Sequence, residues 1–443
     1  MSEAKRSEAK RSGAGPGSVV ELEITALAAG GDGVGRDAAG RVTFVPRTAP
    51  GDRVRARIVH ATRSLARAEL ASVLAPSPAR VPPPCPHFLA GCGGCAWQHV
   101  ARPEQLAAKQ AIVAGALRKL PGLTVHPIAD PAPPLGWRRR ARFHVAGGRV
   151  GLFALGTHRV LPIAACPQLE PALDAARAVV AAASPPDGEL ALLAASPGGA
   201  PAAAVGAPAC AVGVEAPWAG AARLVGRAGI RGVIAGGAAH GAPILELEPG
   251  LHAGPWDFAQ ASAAGNAALI ARVLAAVGPP PESPESPESP GSPARPGARR
   301  LLELYAGGGN LTRALAAAGW DVLASDVAPA SSSPASPAPP APLAPPPPWA
   351  FERGTAADVL ARAAGPFGAI VLDPPRTGAP DALDGILRHA PAVIVYVSCD
   401  AATLARDAAR LVAGGYRATD AWPIDLMPQT AHVEVVLRLE TRR

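Results

Sequence analysis

The chain is poor in aromatics and in lysine. Phe, Trp and Tyr make up 4% of its 443 residues, and lysine supplies only Lys5, Lys10, Lys109 and Lys119 of the 42 basic side chains. The formal charge of +7 therefore rests on arginine, whose planar donor fork suits phosphate partners. No run reaches the length of about 18 strongly apolar residues, free of charge, Gly and Pro, that a membrane-spanning helix requires. The N-terminus repeats Ser-Glu-Ala-Lys-Arg at 2–6 and 7–11 and lacks the apolar stretch of a signal peptide. Residues 1–18 read as a solvated tail, and a cytoplasmic protein is expected. Six cysteines are too few for a disulfide framework, and three of them crowd at Cys85, Cys92 and Cys95. In a reducing compartment that grouping points to a metal or cluster. Gly and Pro are plentiful, at 48 and 52, so compact blocks must alternate with linkers, and the length suits two or three domains.

Residues 19–79 alternate apolar and polar side chains, as in Val19-Val20-Glu21-Leu22-Glu23-Ile24 and Arg53-Val54-Arg55-Ala56-Arg57-Ile58, with Gly30-Gly31-Asp32-Gly33 between. A small OB-like antiparallel β-barrel is expected there, with Arg53, Arg55 and Arg57 on one strand face, either solvated or facing nucleic acid. The segment 279–297, with three Pro-Glu-Ser units, and the segment 328–348, with ten prolines, read as extended linkers. An Ala-rich stretch over 251–277 reads as a helix. After Arg300 short apolar runs end in Gly or Asp, the pattern of a parallel, Rossmann-like α/β domain.

Leu301-Leu302-Glu303-Leu304-Tyr305, Ala306-Gly307-Gly308-Gly309-Asn310 and Leu311 to Gly319 read as strand, glycine turn and helix, a nucleotide-type site. The third glycine of a dinucleotide motif is replaced by Thr312, and Glu303 precedes the first glycine by four residues. Those details favour S-adenosylmethionine over a pyrophosphate cofactor. The next strand ends at Asp326, placed to accept from ribose hydroxyls. Two further strands end in Asp373-Pro374-Pro375-Arg376 and in Ser398-Cys399-Asp400. Asp373 is thereby a rigid strand-end acceptor, and Cys399 stands across from it. Arg376 occupies the place where amino-group methyltransferases carry an aromatic residue.

These residues resemble the RNA 5-methyluridine methyltransferases. The resemblance rests on Phe258-Ala259-Gln260, Glu303 to Asn310, Asp373 to Gly378, Tyr396 to Asp400 with Thr403 to Asp407, and Pro428 to Glu434. It implies a class I methyltransferase domain over 256–443, a TRAM-type barrel at the N-terminus, and a central α+β domain over 80–255. Cys85, Cys92, Cys95 and Cys166 would be ligands of a 4Fe-4S cluster, although their spacing alone fits a four-cysteine zinc site equally. Gln260, Tyr305, Asn310, Asp326 and Asp373 would hold S-adenosylmethionine. Uracil C5 is a weak nucleophile, so Cys399 would add at C6 to activate it, and Glu434 would take the C5 proton. Ser262 stands where the family carries Asn, and Ala401 where Pro often follows. Trp137 to His144, with four arginines among aromatics, reads as an RNA backbone surface. The expected partner is structured RNA, ribosomal 23S RNA before transfer RNA. A catalytically impaired RNA-binding protein of the same fold is the reading from another class.

Overall fold

The protein is described here by a computed structural model covering residues 14–195, 209–281, 298–327 and 349–442. The expected tail up to residue 13, most of the 279–297 linker and the whole 328–348 segment lie outside the described residues. The chain divides into two compact units. One holds residues up to Ile112 with Phe153–Leu161 and Pro428–His432, and the other holds the remainder.

In the first unit five strands close into a barrel in the order Val19–Leu27, Gly33–Arg36, Val42–Val45, Leu65–Ala75, Arg53–Ala61. The alternation read from the sequence is what closes it. Leu22, Ile24, Val54, Ala56 and Ile58 point inward, and the interleaved Arg53, Arg55 and Arg57 are all exposed. The arginines face acids on neighbouring strands: Glu23 is paired with Arg53, Glu21 with Arg55 and Glu69 with Arg57. Arg55 reaches Glu21 at 2.6 Å, so part of this face is already neutralised. At the barrel's rim Asp37 and Arg41 form a buried pair at 2.7 Å, with Asp37 also accepting from the Arg41 backbone N–H.

The cysteine loop packs in the same unit as the barrel. Trp97 explains why: its fully buried indole donates to the Gly31 carbonyl at 2.9 Å. The segment 428–432 returns to this unit, where the Gln429 carbonyl accepts from the backbone N–H groups of Ala96 and Trp97. Its side-chain oxygen accepts from Gln105 Nε2, and its backbone N–H donates to Gln105 Oε1.

The second unit contains an eight-stranded sheet in the order Ala350–Arg353, Asp321–Asp326, Arg300–Leu304, Ala369–Leu372, Val393–Ser398, Glu434–Thr441, Tyr416–Ile424, Thr124–Val125. The first five strands are parallel, and Glu434–Thr441 is antiparallel to Val393–Ser398. Parallel strands are buried on both faces, which is why they read as continuous apolar runs. Leu302, Leu304, Ile370 and Leu372 face one core, and Leu301, Ala369 and Val371 face the other. The helix expected over 251–277 begins at Ala263, where the Ser262 hydroxyl accepts from Gly265 N–H at 3.0 Å. The residues before it form a short strand, Leu251–Ala253, and a loop. Serine caps a helix as well as asparagine does, so this departure from the family pattern costs the helix little.

A second sheet in this unit includes Ala238–Gly241, Ile230–Ala235, Ala209–Val214, Gly188–Ala195 and Arg140–Ala146. Two of the arginines read as an RNA surface turn inward instead. Arg139 is buried, lies 2.8 Å from Glu248 and donates to the Gln260 carbonyl at 3.0 Å. Arg140 donates to the Asp257 carbonyl at 3.0 Å. They brace the loop that carries Phe258 and Gln260, because bare carbonyls in a loop need donors. Arg142, which pairs with Glu189 at 3.0 Å, remains exposed.

Candidate active site

The parallel strands end side by side, and their last residues define the site. Leu304 pairs with Leu372, and Leu372 with Tyr396. Tyr305 and Asp373 therefore leave the sheet together, with Cys399 three residues past Tyr396. Tyr305, Gly307 and Gly309 all take positive φ, so the chain turns sharply into the helix Asn310–Ala317. A Cβ built on Gly307 would meet nothing within 4 Å, which leaves open space above the turn. Beneath it Glu303 is buried, with Oε2 lacking any partner among the described residues. Burial pushes its carboxyl up to about 8.

Asp326 and Asn310 sit beside that turn but are partly committed to the protein. Asp326 Oδ2 accepts from Gly307 N–H at 2.9 Å. Asn310 exchanges amide hydrogen bonds with Asn266 at 2.7 and 2.9 Å, and Asn266 also donates to Glu248. Acids around the Tyr305 phenol, after burial itself, push its ionisation upward.

Cys399 follows the strand Val393–Ser398 and precedes the helix Ala401–Ala413. Its turn is stapled at both ends. Ser398 Oγ accepts from Asp400 N–H and donates to the Asp400 carbonyl, each at 3.1 Å. The Asp400 carboxylate accepts from Ala402 and Thr403 N–H, both at 3.0 Å. Ala401 thus begins the helix without a proline, because Asp400 supplies the cap. The antiparallel register ends with Ser398 paired with Val435, so Cys399 and Glu434 are the next residue along each chain, and the Glu434 charge acts on the Cys399 thiol. Facing residues of an antiparallel pair project on the same side.

The electrostatics tie four side chains together. Burial raises the Cys399 thiol; Glu434 and Asp373 raise it further, while a hydrogen bond from Arg376 and its charge lower it. Glu434 is 6% exposed, and burial followed by Asp373 pushes it well above the ordinary carboxylate range, with Arg376 opposing. Burial pushes Asp373 up to about 7. A nucleophile, two carboxyls whose protons burial holds above the ordinary carboxylate range, and one guanidinium among them form a proton-handling centre.

The residues Phe258-Ala259-Gln260 approach from the braced loop, with Phe258 69% exposed and the Arg140 guanidinium 5.8 Å from its ring. The cysteine set behaves differently. Cys85 and Cys92 are buried, Cys95 is half-buried, and Gly94 N–H donates to the Cys92 sulfur at 3.4 Å. Cys166 falls in the other unit. Among the described residues no three His, Cys, Asp or Glu side chains stand close enough to hold a metal ion.

The TRAM domain family matches residues 14–71, the barrel and the residues leading into it. The chain is 34% identical to a 23S rRNA (uracil(1939)-C(5))-methyltransferase RlmD of Chromohalobacter salexigens, over 94% of this chain and 88% of that protein. It is 31% identical to the protein of that name from Edwardsiella ictaluri, over 96% of each. The chain belongs to the RNA uracil-C5 methyltransferases. The fold of this methyltransferase is also that of the Pyrococcus abyssi tRNA (uracil-54, C5)-methyltransferase bound to S-adenosyl-L-homocysteine. That structure superposes with a TM-score of 0.66 at 20% identity, over 94% of this chain and 99% of its own.

For an RNA uracil-C5 methyltransferase, sequence reasoning passed over three residues that the site contains. Arg376 was noted only for not being aromatic, yet it hydrogen-bonds the Cys399 sulfur. Asn266 orients Asn310, and its signal was its place one turn into the helix that follows the Gln260 loop. Glu303 was used to choose the cofactor, and it is also a buried carboxyl without a partner for Oε2.

Proposed function

We propose that this enzyme methylates C5 of a uridine in structured RNA, with 23S ribosomal RNA as its target, in the cytoplasm. The observation that supports the reading is the meeting of Cys399 and Glu434 just past the last residues paired between their strands, with the charges of Arg376 and Asp373 acting on both. S-adenosylmethionine, when bound, supplies the electrophilic methyl group. The space above Gly307 and the carboxylates ringing the turn suit a sulfonium ligand without phosphate. Gln260, Tyr305, Asn310, Asp326 and Asp373 would hold it, with Asn310 fixed by Asn266 and Asp326 keeping one oxygen on the glycine turn.

The uridine must leave its stack to reach this site, at a cost of a few kcal/mol. The Cys399 thiolate adds to C6, the C5–C6 electron pair moves to C5, and C5 would take the methyl group as its bond to the sulfonium sulfur breaks, the pair staying on sulfur in a neutral thioether. Glu434 takes the C5 proton. The electrons of that C–H bond re-form the double bond and expel the thiolate, leaving C5 methylated. Arg376 stabilises the thiolate at both ends of this sequence. A methyl transfer moves no unpaired electron, so the 4Fe-4S cluster proposed for Cys85, Cys92, Cys95 and Cys166 has no step in it. Stoichiometric iron and sulfide in the purified protein support that cluster; zinc overturns it.

The test of the reaction uses ribosomal RNA fragments carrying 5-fluorouridine, with transfer RNA in parallel. Fluorine cannot leave as a proton, so a methylated covalent adduct should accumulate with the wild type and be absent with Cys399→Ala. A wild type that binds RNA and cofactor but forms no adduct would overturn the mechanism.

A further inference from the structure

One buried network near the site plays no part in that chemistry. It joins the loop that carries Arg376 to the two elements that flank Cys399. Tyr396, three residues before the cysteine, is fully buried, and its hydroxyl donates to Asp407 Oδ2 at 2.8 Å. Asp407 is also fully buried, on the helix that starts after Cys399. The same Oδ2 accepts from the backbone N–H of Ala379 at 2.8 Å. Oδ1 accepts from Arg406 Nε at 2.8 Å, and Arg406 donates onward to the Thr377 carbonyl at 2.8 Å. Between those anchors Gly378 has φ +79°, and an added Cβ would lie 2.4 Å from Asp407 Oδ2. The backbone of 377–379 is thus drawn against one carboxylate, one to three residues past Arg376.

We propose that Asp407, with Tyr396 and Arg406, is a positioning device that holds the Arg376 guanidinium on the Cys399 sulfur. The inference rests on Cys399 being the nucleophile. The geometry favours this role over simple core packing for two reasons. One of the carboxylate's partners is the loop backbone itself, at Ala379, and another, Arg406, carries the link on to the Thr377 carbonyl, ties that a packing residue would not need. Strand, helix and loop also meet at this one oxygen pair, so Arg376 and Cys399 are referenced to the same fixed point. A carboxylate accepting several bonds at once is a strong anchor.

The experiment measures alkylation of Cys399 by iodoacetamide against pH, read on the Cys399 peptide by mass spectrometry, in the full-length protein without RNA. The readout needs no methyl transfer, so it stands apart from failure of the reaction. Arg376→Ala should move the Cys399 titration to higher pH, and Asp407→Asn should move it the same way. A displacement of one pH unit lowers the rate at pH 7 about tenfold, with the limiting alkaline rate unchanged. In the Arg376→Ala background Asp407→Asn should add no further displacement, the signature of one residue acting through the other. If Asp407→Asn fails to fold, Tyr396→Phe removes a single hydroxyl from the same oxygen and should give a smaller displacement in the same direction. A normal Cys399 titration in a folded Asp407→Asn or Tyr396→Phe protein, or additive displacements in the double variant, would overturn the proposal.

Discussion

Glu303→Gln is the substitution with the most specific expected signature. Glu303 lies inside the sheet at 2% exposure, with Oε2 unpartnered among the described residues. Its burial raises the carboxyl from 4.5 to about 8, and nearby Asp373 adds to the effect. In the folded state the protonated form is therefore preferred. Below about pH 4.5 the group is neutral in both states and costs nothing. As pH rises from there to about 8 the unfolded chain releases its proton while the folded chain holds it, so the fold loses stability. At about 1.4 kcal/mol per pH unit the full loss is bounded at about 5 kcal/mol. Glutamine cannot titrate. Urea unfolding of the ligand-free catalytic unit, followed by hydrogen exchange of its central strands, should find the variant and wild type separated by a constant offset near pH 4.5. By pH 8.5 the variant should have gained several kcal/mol on the wild type. The offset itself carries no information, because the new amide must find partners of its own. A difference that stays the same across that range would refute the reasoning.

Three other outcomes follow from the geometry. Asp400→Ala removes the cap over Ala402 and Thr403, so thermal denaturation should show a loss of about 1 kcal/mol, and the adduct rate should fall as the Cys399 turn loosens. Asp37→Ala leaves Arg41 buried without its partner, and chemical denaturation of the barrel should show a loss of about 3 kcal/mol or more. If the exposed arginine face of the barrel binds RNA, Arg53→Ala and Arg57→Ala should each lower the salt dependence of binding by about one counterion. Arg55→Ala should do less, because Glu21 already holds that side chain.

Much of the architecture was legible where periodicity is strong. The barrel announced itself through period-two alternation, and the cofactor-side strands through apolar runs that stop at a glycine turn or an acid. The second sheet was not legible. Apart from Glu189 and Cys210, its strands Gly188–Ala195 and Ala209–Val214 are built of Ala, Gly, Leu and Val, with nearly every position buried. Strands buried on both faces have no alternation to read. The site divides in the same way. Cys399, Asp373 and the glycine turn stand out because strand ends are visible in sequence. The partnership of Cys399 with Arg376 depends on two strands lying side by side, which no local pattern records. Arg139 and Arg140 misled for a related reason: an arginine that serves a distant carbonyl has the same local sequence as one that faces a phosphate.

The order of the strands bears on how this fold tolerates change. Asp321–Asp326 leads on to Ala350–Arg353, an edge strand of the sheet and four strands removed from the one that ends at Ser398. Loop closure grows only logarithmically with length, about 0.6 kcal/mol for each doubling, so extra chain at this edge is thermodynamically cheap. The same number of residues between Ser398 and Ala401 would break the staple that aims the thiol. The enzyme therefore has one permissive edge and one intolerant centre. An affinity handle or a reporter spliced into the outer crossover would be carried by the protein without disturbing the register on which the paired sulfur and carboxyl depend.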